Sequence, residues 1–233
     1  MRPEPATSDS FLPPLPFHCD TSMHISFLLA VVLAYLLGSL SFAVIVSRFM
    51  GLNDPRSYGS GNPGATNVLR SGNKKAALLT LVFDALKGWL PVFVVSQWGA
   101  GWGLGAGALA CVGLAAFLGH LYPVFFRFQG GKGVATAAGV VLAWAPLAGT
   151  LVLLTWLLVA FVSRYSSFAA LVAALSAPMW YMLGINGWWP VQGPVLFAIV
   201  GVSGLLIWRH RANIRRLLDG QESRIGSKGS SPR

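Results

Sequence analysis

Residues 134–162 read VATAAGVVLAWAPLAGTLVLLTWLLVAFV, an apolar run longer than the roughly 20 residues a helix needs to cross a bilayer. The run is interrupted at Trp144-Ala145-Pro146, where proline lacks an amide donor and its ring clashes with the preceding turn. Two structures are compatible with this pattern: one kinked span, or two short helices that enter the bilayer and return to the same side. Non-helical backbone at that depth is tolerated only under cover of protein or of a cavity. The choice decides the fold, because it sets which side every later segment faces.

Working outward, further apolar segments lie at 25–47, 76–98 and 102–119 before the run, and at 167–185 and 193–208 after it. Hydrophobic residues make up 55% of the 233 and charged residues only 10%, against about 25% charged in a soluble domain. That balance excludes intrinsic disorder, a collagen-like chain and an ordinary cytosolic domain. The formal charge of +10 would suggest nucleic acid in a soluble chain. Here the basic residues stand between or after apolar segments, so they set orientation and bind anions, with membrane lipid rather than nucleic acid as the partner. Suppose the N-terminus faces outward and 134–162 enters and returns. Every Lys and Arg except Arg2 and the intramembrane Lys87 then lies on the inner side, and the short outer turns near 99–101, 144–145 and 186–192 hold none. A single span would put Arg164 and the basic C-terminal tail on opposite sides. The bias of Lys and Arg toward cytoplasmic loops therefore selects the returning pair. The expected fold is all-α, a polytopic membrane helix bundle of about seven transmembrane or half-spanning helices.

Residues 1–24 are polar and Pro-rich and lack the basic start of a signal peptide. They are expected to form a disordered tail, and Met23, directly before the first span, is an alternative start of translation. Residues 25–208 make the membrane domain, and 209–233 a basic cytoplasmic segment. Cys19 and Cys111 make no disulfide framework. The run Gly99, Gly101, Gly103, Gly105, Gly107 reads as close helix packing through small residues. No internal repeat of useful length is visible, which weighs against a transporter built from inverted repeats.

Three inner-side stretches are unlike ordinary membrane loops. The first is GSGNPGATNVLR at 59–70. Gly61 and Gly64 allow close backbone approach to a ligand, and successive N–H groups in such turns form an anion-binding concavity. Ser60, Asn62, Thr66 and Asn67 add side-chain hydrogen bonds, and Arg70 a fork matched to phosphate oxygens. From spacing alone, a Gly/Asn turn with a topology-setting arginine stands as an equal alternative. The second stretch runs from Gly119-His120-Leu121-Tyr122-Pro123 to QGGKGVAT at 129–136. Lys132 sits among Gly130, Gly131 and Gly133, with Thr136 in the opening turn of a helix. Free N–H groups, a positive dipole end and an ammonium suit a phosphate, although the spacing is not that of a P-loop. The third is HRANIRRLLDGQE at 210–222, where His210 and Asn213 share a helix face and Gly220 is a plausible C-cap. Composition alone favours a basic helix resting on anionic headgroups there.

Asp84 and Lys87 lie at i, i+3 within one segment and read as a mutually neutralising structural pair. His120 reads as a hydrogen-bonded boundary residue, and Ser166 and Ser167 stand at the same inner boundary as the three stretches. No Gly-x-Ser-x-Gly elbow is present, no His has Asp five positions later, and no His/Cys/Asp/Glu cluster suggests a metal.

With these three strings in this order, the chain from about residue 25 to 222 resembles the PlsY family of bacterial membrane acyltransferases. The resemblance implies a seven-helix fold in the bacterial inner membrane, with the motifs facing the cytoplasm. It also implies transfer of an acyl group from acyl-phosphate to the 1-hydroxyl of sn-glycerol 3-phosphate, without a cofactor. By resemblance, Ser60 and Arg70 serve glycerol-phosphate and phosphate binding, Lys132 and the 130–133 loop meet the substrate phosphates, and His210 and Asn213 face the acceptor. Glu222 is a structural anchor. Two features depart from the family pattern: Ala170 stands where some members carry a further serine, and residues 1–24 have no counterpart.

An acyl-phosphate is a mixed anhydride and already activated, so the chemistry needs no covalent nucleophile. It needs two anions held together and charge neutralised on the departing phosphate, a task that suits Arg70, Lys132 and glycine-rich backbone donors. His210 is the best side-chain candidate for the general base, and a substrate phosphate oxygen is the alternative. A secondary transporter of a phosphorylated solute is the main rival, since helix ends that bind anions also suit that task. A membrane phosphatase is a weaker one, because its acidic or histidine clusters are missing.

Overall fold

The computed structural model describes residues 21–226. The expected tail over 1–20, with Cys19, and residues 227–233 of the C-terminal segment lie outside the described residues. The first helix, α1 (Thr21–Gly38), begins four residues before the boundary expected for the tail. It bends by 46° into α2 (Phe42–Phe49). A long loop carrying the short helix α3 (Ala65–Leu69) leads to α4 (Lys74–Trp98), which Asn73 caps by accepting the Ala76 N–H at 3.0 Å. The chain then forms α5 (Ala106–Leu121), α6 (Val134–Trp144), α7 (Pro146–Ser163), α8 (Ser166–Met182) and α9 (Gly193–Arg209). A bend of 56° joins α9 to α10 (Arg211–Leu218).

Among the described residues, 74–102, 106–126, 146–163 and 166–186 are each long and apolar enough to span a membrane, and the bent pairs α1–α2 and α9–α10 each pass together. The 11 residues of α6 extend about 16 Å, roughly half the apolar thickness of a bilayer. The fold is therefore the all-α membrane bundle of about seven spanning or half-spanning helices. Ala145 alone separates α6 from α7. Its extended backbone (φ −152°, ψ 95°) lets Pro146 open α7, at a position where the missing N–H has no intrahelical partner to lose. The hairpin is tight: a Cβ on Gly149 would stand 2.6 Å from Leu142 Cα. Residues 134–162 are thus the returning pair.

In lipid, helices associate through close packing rather than through burial from water. Gly38 and Gly119 make the α1–α5 crossing, where added Cβ atoms would stand 2.1 Å from Ala116 O and 2.3 Å from Tyr35 O. Gly88 and Gly139 do the same between α4 and α6, at 2.4 Å from Thr136 O and 2.0 Å from Ala85 O. The 99–107 run behaves otherwise, which corrects the packing role expected for it. Gly103 takes a left-handed φ of 72°, and Cβ atoms at Gly101, Gly105 or Gly107 would meet nothing within 4 Å. Of this run only Gly99 is tightly packed. The glycines instead make the short reversal from α4 to α5, where a left-handed residue is required.

Within the bundle, Lys87 Nζ meets Asp84 Oδ1 at 2.7 Å and donates to Leu40 O at 2.6 Å. Thr136 Oγ1 donates to Asp84 O at 2.9 Å and lies 3.1 Å from His120 Nδ1. This buried ion pair joins the α1–α2 link to α4, while Thr136 ties α4, α5 and α6 together. Its neutralised geometry fits the structural reading.

With α6 and α7 returning, the 50–73 loop, the 122–133 loop, the α7–α8 turn and α10 gather at one end of the bundle. In a background lacking Cys19 and Cys111, cysteines at Ser71, Gln129 and Asp219 are expected to escape a membrane-impermeant thiol reagent applied to intact cells. One placed at Trp188 is expected to react. Labelling at Asp219 alone would restore the single span.

Candidate active site

The 50–64 loop is organised around Asn67, which is only 2% exposed. Its Nδ2 donates to Pro55 O at 2.6 Å and Tyr58 O at 3.1 Å, and its Oδ1 accepts the Ser60 N–H at 3.0 Å. Asn67, expected among the substrate contacts, is instead engaged at both ends in shaping the loop. An amide that can bond a phosphate can equally bond peptide groups, and here the peptide groups are nearer. Ser60, Gly61 and Arg70 remain exposed, with Arg70 lying against Gly59, where an added Cβ would stand 3.1 Å from Arg70 Cδ. Asn62 and Gly64 are half-buried in the turn before α3. Thr66 reaches across to α8, its Oγ1 3.2 Å from Ser166 Oγ.

The second stretch folds back over the end of α5. Gly131 N–H donates to His120 O at 3.2 Å. An added Cβ on Gly131 would lie 2.3 Å from His120 Nε2 and 3.0 Å from Pro63 O, so this loop also touches the first. Gly133, at φ 81°, provides the left-handed entry into α6. Thr136 is fully buried against α4 and α5. Its place in the opening turn of the helix suggests a substrate contact, but three residues past the Gly133 cap it lies on the packed face of α6 and bonds Asp84 O.

The bend after α9 supplies the third side. Lys132 Nζ donates to Asn213 Oδ1. Asn213 Nδ2 donates onward to Glu222 Oε1 at 2.6 Å, and Ser167 Oγ donates to the same oxygen at 2.7 Å. Arg216 Nε meets Glu222 Oε2 at 2.8 Å. Past Glu222 the chain runs back along the α7–α8 turn, with Ile225 N donating to Arg164 O at 2.7 Å. Arg209 Nη2 donates to Gly130 O and Gly131 O, both at 2.9 Å, and its Nε to Gly131 O at 3.2 Å. Sequence reasoning missed Arg209, because a basic residue closing an apolar segment reads as a topology marker. His210 is 2% exposed, with Nδ1 2.8 Å from Leu206 O.

These contacts set the charge states. Burial pushes the Lys132 ammonium down to about 8; Glu222 opposes the shift, and Arg216, Arg70 and Arg209 add to it. Burial pushes the Glu222 carboxyl up, but the hydrogen bonds from Ser167, Asn213 and Arg216 outweigh this and hold it below the ordinary carboxylate range. Just beyond α9, burial brings the His210 imidazole down to about 4, against its bond to the Leu206 carbonyl. Arg70, Arg209, Arg216 and the Glu222 carboxylate thus all act on Lys132 at one end of the bundle, an excess of cations suited to gathering anions. Among the described residues no group of His, Cys, Asp and Glu is placed to hold a metal ion.

A family model described as glycerol-3-phosphate acyltransferase matches residues 28–220. The glycerol-3-phosphate acyltransferase of Paraburkholderia phytofirmans is 64% identical over 203 residues, covering 86% of this chain and 92% of that protein. The one from Burkholderia ambifaria is 63% identical over the same length and coverage. Among solved structures, PlsY, an integral membrane glycerol 3-phosphate acyltransferase, aligns in its glycerol 3-phosphate form with a TM-score of 0.77 and 43% identity, over 86% of this chain and 96% of that one. Its lysophosphatidic acid form aligns with a TM-score of 0.75 and 42% identity, at the same coverage. A chain matched along most of its length by sequence and by fold, with its three glycine-rich and basic stretches gathered at one end of the bundle, belongs to the glycerol-3-phosphate acyltransferase family of PlsY-type integral membrane enzymes.

Proposed function

We propose that this chain moves the acyl group of an acyl-phosphate to the 1-hydroxyl of sn-glycerol 3-phosphate, giving lysophosphatidate and phosphate, at the cytoplasmic face of the bacterial inner membrane. One observation carries the reading: Lys132 stands in a glycine loop with its ammonium held by Asn213, among three arginines and a single carboxylate. Such a site favours two phosphate-bearing substrates over a thioester that carries its charge far from the carbonyl. The two forms in which the solved PlsY was captured, with glycerol 3-phosphate and with lysophosphatidic acid, fit the acceptor and product. Membership of an acyltransferase family removes the ground for a transporter.

In the proposed reaction, Arg70, Lys132 and the backbone N–H groups of Gly130 and Gly133 neutralise the phosphates, Gly131 shapes their loop with its N–H held on His120 O, and Ser60, Gly61, Asn62, Gly64, Thr66 and Asn213 orient the acceptor. The acceptor oxygen bonds to the acyl carbon, the bond from that carbon to the phosphate oxygen breaks, and the departing phosphate takes the hydroxyl proton. His210 is a poor proton acceptor. Burial holds its imidazole down to about 4 even though the Nδ1 bond to the Leu206 carbonyl favours the cation, and such a group has little affinity for a proton near neutrality. It orders the α9–α10 bend instead.

Purified protein supplied with acyl-phosphate and glycerol 3-phosphate is expected to form lysophosphatidate; comparable turnover with acyl-CoA as sole donor would refute the donor assignment. Kinetics should be sequential, since an activated donor and an oriented hydroxyl need no acyl-enzyme. Labelled acyl-phosphate given without acceptor should leave no label on denatured protein, and an adduct at Ser60, Ser166 or Ser167 would overturn direct transfer.

The Lys132 ammonium also predicts a pH profile. The cation is present below about 8 and lost above it, so kcat/KM should fall as pH rises through that value. Bound phosphate favours the cation, so the kcat limb should lie higher. In Lys132→Arg, which keeps its charge, the limb should vanish; its persistence would assign it to another group.

A further inference from the structure

We propose that Arg209 is a positioning residue for acyl transfer, its guanidinium holding the Gly130 and Gly131 carbonyls so that the Lys132 backbone and side chain are aimed at the substrate phosphate. The inference rests on the reading of Lys132 as the phosphate-facing cation.

A trans peptide points its N–H opposite its C=O. The plane between Gly130 and Gly131 is pinned at both ends, its carbonyl by Arg209 at 2.9 Å and its N–H by His120 O at 3.2 Å. The next plane has its carbonyl, that of Gly131, on Arg209 Nη2 and Nε, so the Lys132 N–H is turned away from the guanidinium. Two adjacent glycines have the widest backbone freedom of any pair. Two successive peptide planes held by one rigid fork lose that freedom. A guanidinium presents its donors in fixed geometry, which an ammonium does not.

Arg209 is itself located from behind. Its guanidinium carbon stands 5.8 Å from the centre of the Tyr122 ring, and Tyr35 OH from α1 donates to Tyr122 O at 2.7 Å. Four residues on, across the α9–α10 bend, Asn213 accepts from Lys132 Nζ. Lys132 is therefore gripped at its root through Arg209 and at its tip by Asn213, both delivered by the same bend. The bend is thereby part of the transfer machinery, although the hydrogen bonds of Arg209 go to the Gly130 and Gly131 carbonyls rather than to a substrate group.

Arg209→Gln and Arg209→Lys separate this role from its alternatives when kcat/KM is measured alongside amide hydrogen exchange over 129–133 in the inserted, full-length protein. In Arg209→Gln, exchange in the loop is expected to quicken while the spanning helices keep their protection, and kcat/KM should fall about ten- to a hundredfold, the worth of a few charge-assisted hydrogen bonds. Arg209→Lys, with its charge but no fork, should be intermediate in both measurements. Activity lost with unchanged loop exchange would mean that Arg209 touches substrate. Full rescue by lysine would mean that charge alone suffices, and faster exchange with normal kcat/KM would mean that loop order is irrelevant; each overturns the proposal. If Arg209→Gln does not insert, the lysine variant alone decides by the same two readings. Wild-type protein that transfers nothing from acyl-phosphate would defeat the proposed reaction, while the exchange comparison would still judge the grip on the loop.

Discussion

Lys132→Ala is expected to lower kcat/KM by at least about a hundredfold while leaving the protein inserted and folded, since removing a positioned electrostatic donor at a reacting centre costs on the order of 3–4 kcal/mol. Two consequences combine. The ammonium that would neutralise the departing phosphate is gone, and Asn213 Oδ1 loses the donor that holds it, although Asn213 stays tied to Glu222. The fold should survive, because the contacts of Ser167 and Arg216 to Glu222 do not involve the lysine. Lys132→Arg should recover part of the rate, limited by a longer and planar head in a space shaped for a compact one. Arg70→Ala should act in the same direction. Its side chain is exposed, so more of its loss is expected in KM than in kcat. Steady-state kinetics on purified variants, with circular dichroism for folding, check all three. Lys132→Ala turnover within threefold of the unaltered protein would reduce the lysine to a topology signal.

Much of this architecture can be read from hydropathy and charge because both are local. The Trp144-Ala145-Pro146 break and the distribution of Lys and Arg choose the returning α6–α7 pair, and the structure has that hairpin. The Asp84–Lys87 pair needs only i, i+3 spacing. What sequence does not carry is long-range hydrogen bonding. Asn67 and Thr136 look like ligand contacts, since their groups suit phosphate oxygens as well as carbonyls; only the fold shows that Pro55, Tyr58 and Asp84 take them first. Arg209 is the reverse case. Its acceptors lie in a loop some 80 residues earlier, and nothing next to it in sequence hints at them. Glycines divide the same way. The conspicuous 99–107 run makes a turn, while isolated Gly38, Gly88, Gly119 and Gly139 make the helix crossings, because packing depends on which backbone lies opposite.

Gly130→Ala carries that last point into the site, and a loss of activity of about a hundredfold or more is expected. An added Cβ would stand 2.1 Å from His120 O and 2.5 Å from Leu121 O, both main-chain atoms at the end of α5. That end cannot easily retreat: α1 lies so close that even a Cβ on Gly119 would stand 2.3 Å from Tyr35 O, and Tyr35 OH holds Tyr122 O. The glycine loop must therefore move, by roughly the ångström that separates a clash from an ordinary contact. Moving it carries Lys132 away from Asn213 and pulls the Gly130 and Gly131 carbonyls off Arg209. Misplacement of about 1 Å in a positioning element is enough to cost a hundredfold in rate. Gly105→Ala is the control. It stands at a turn where a Cβ meets nothing within 4 Å and its φ of −94° is open to any residue, so turnover should be unchanged. Near-normal kcat in Gly130→Ala, with the control equally active, would show that the loop tolerates displacement and that Lys132 does not depend on its exact seat.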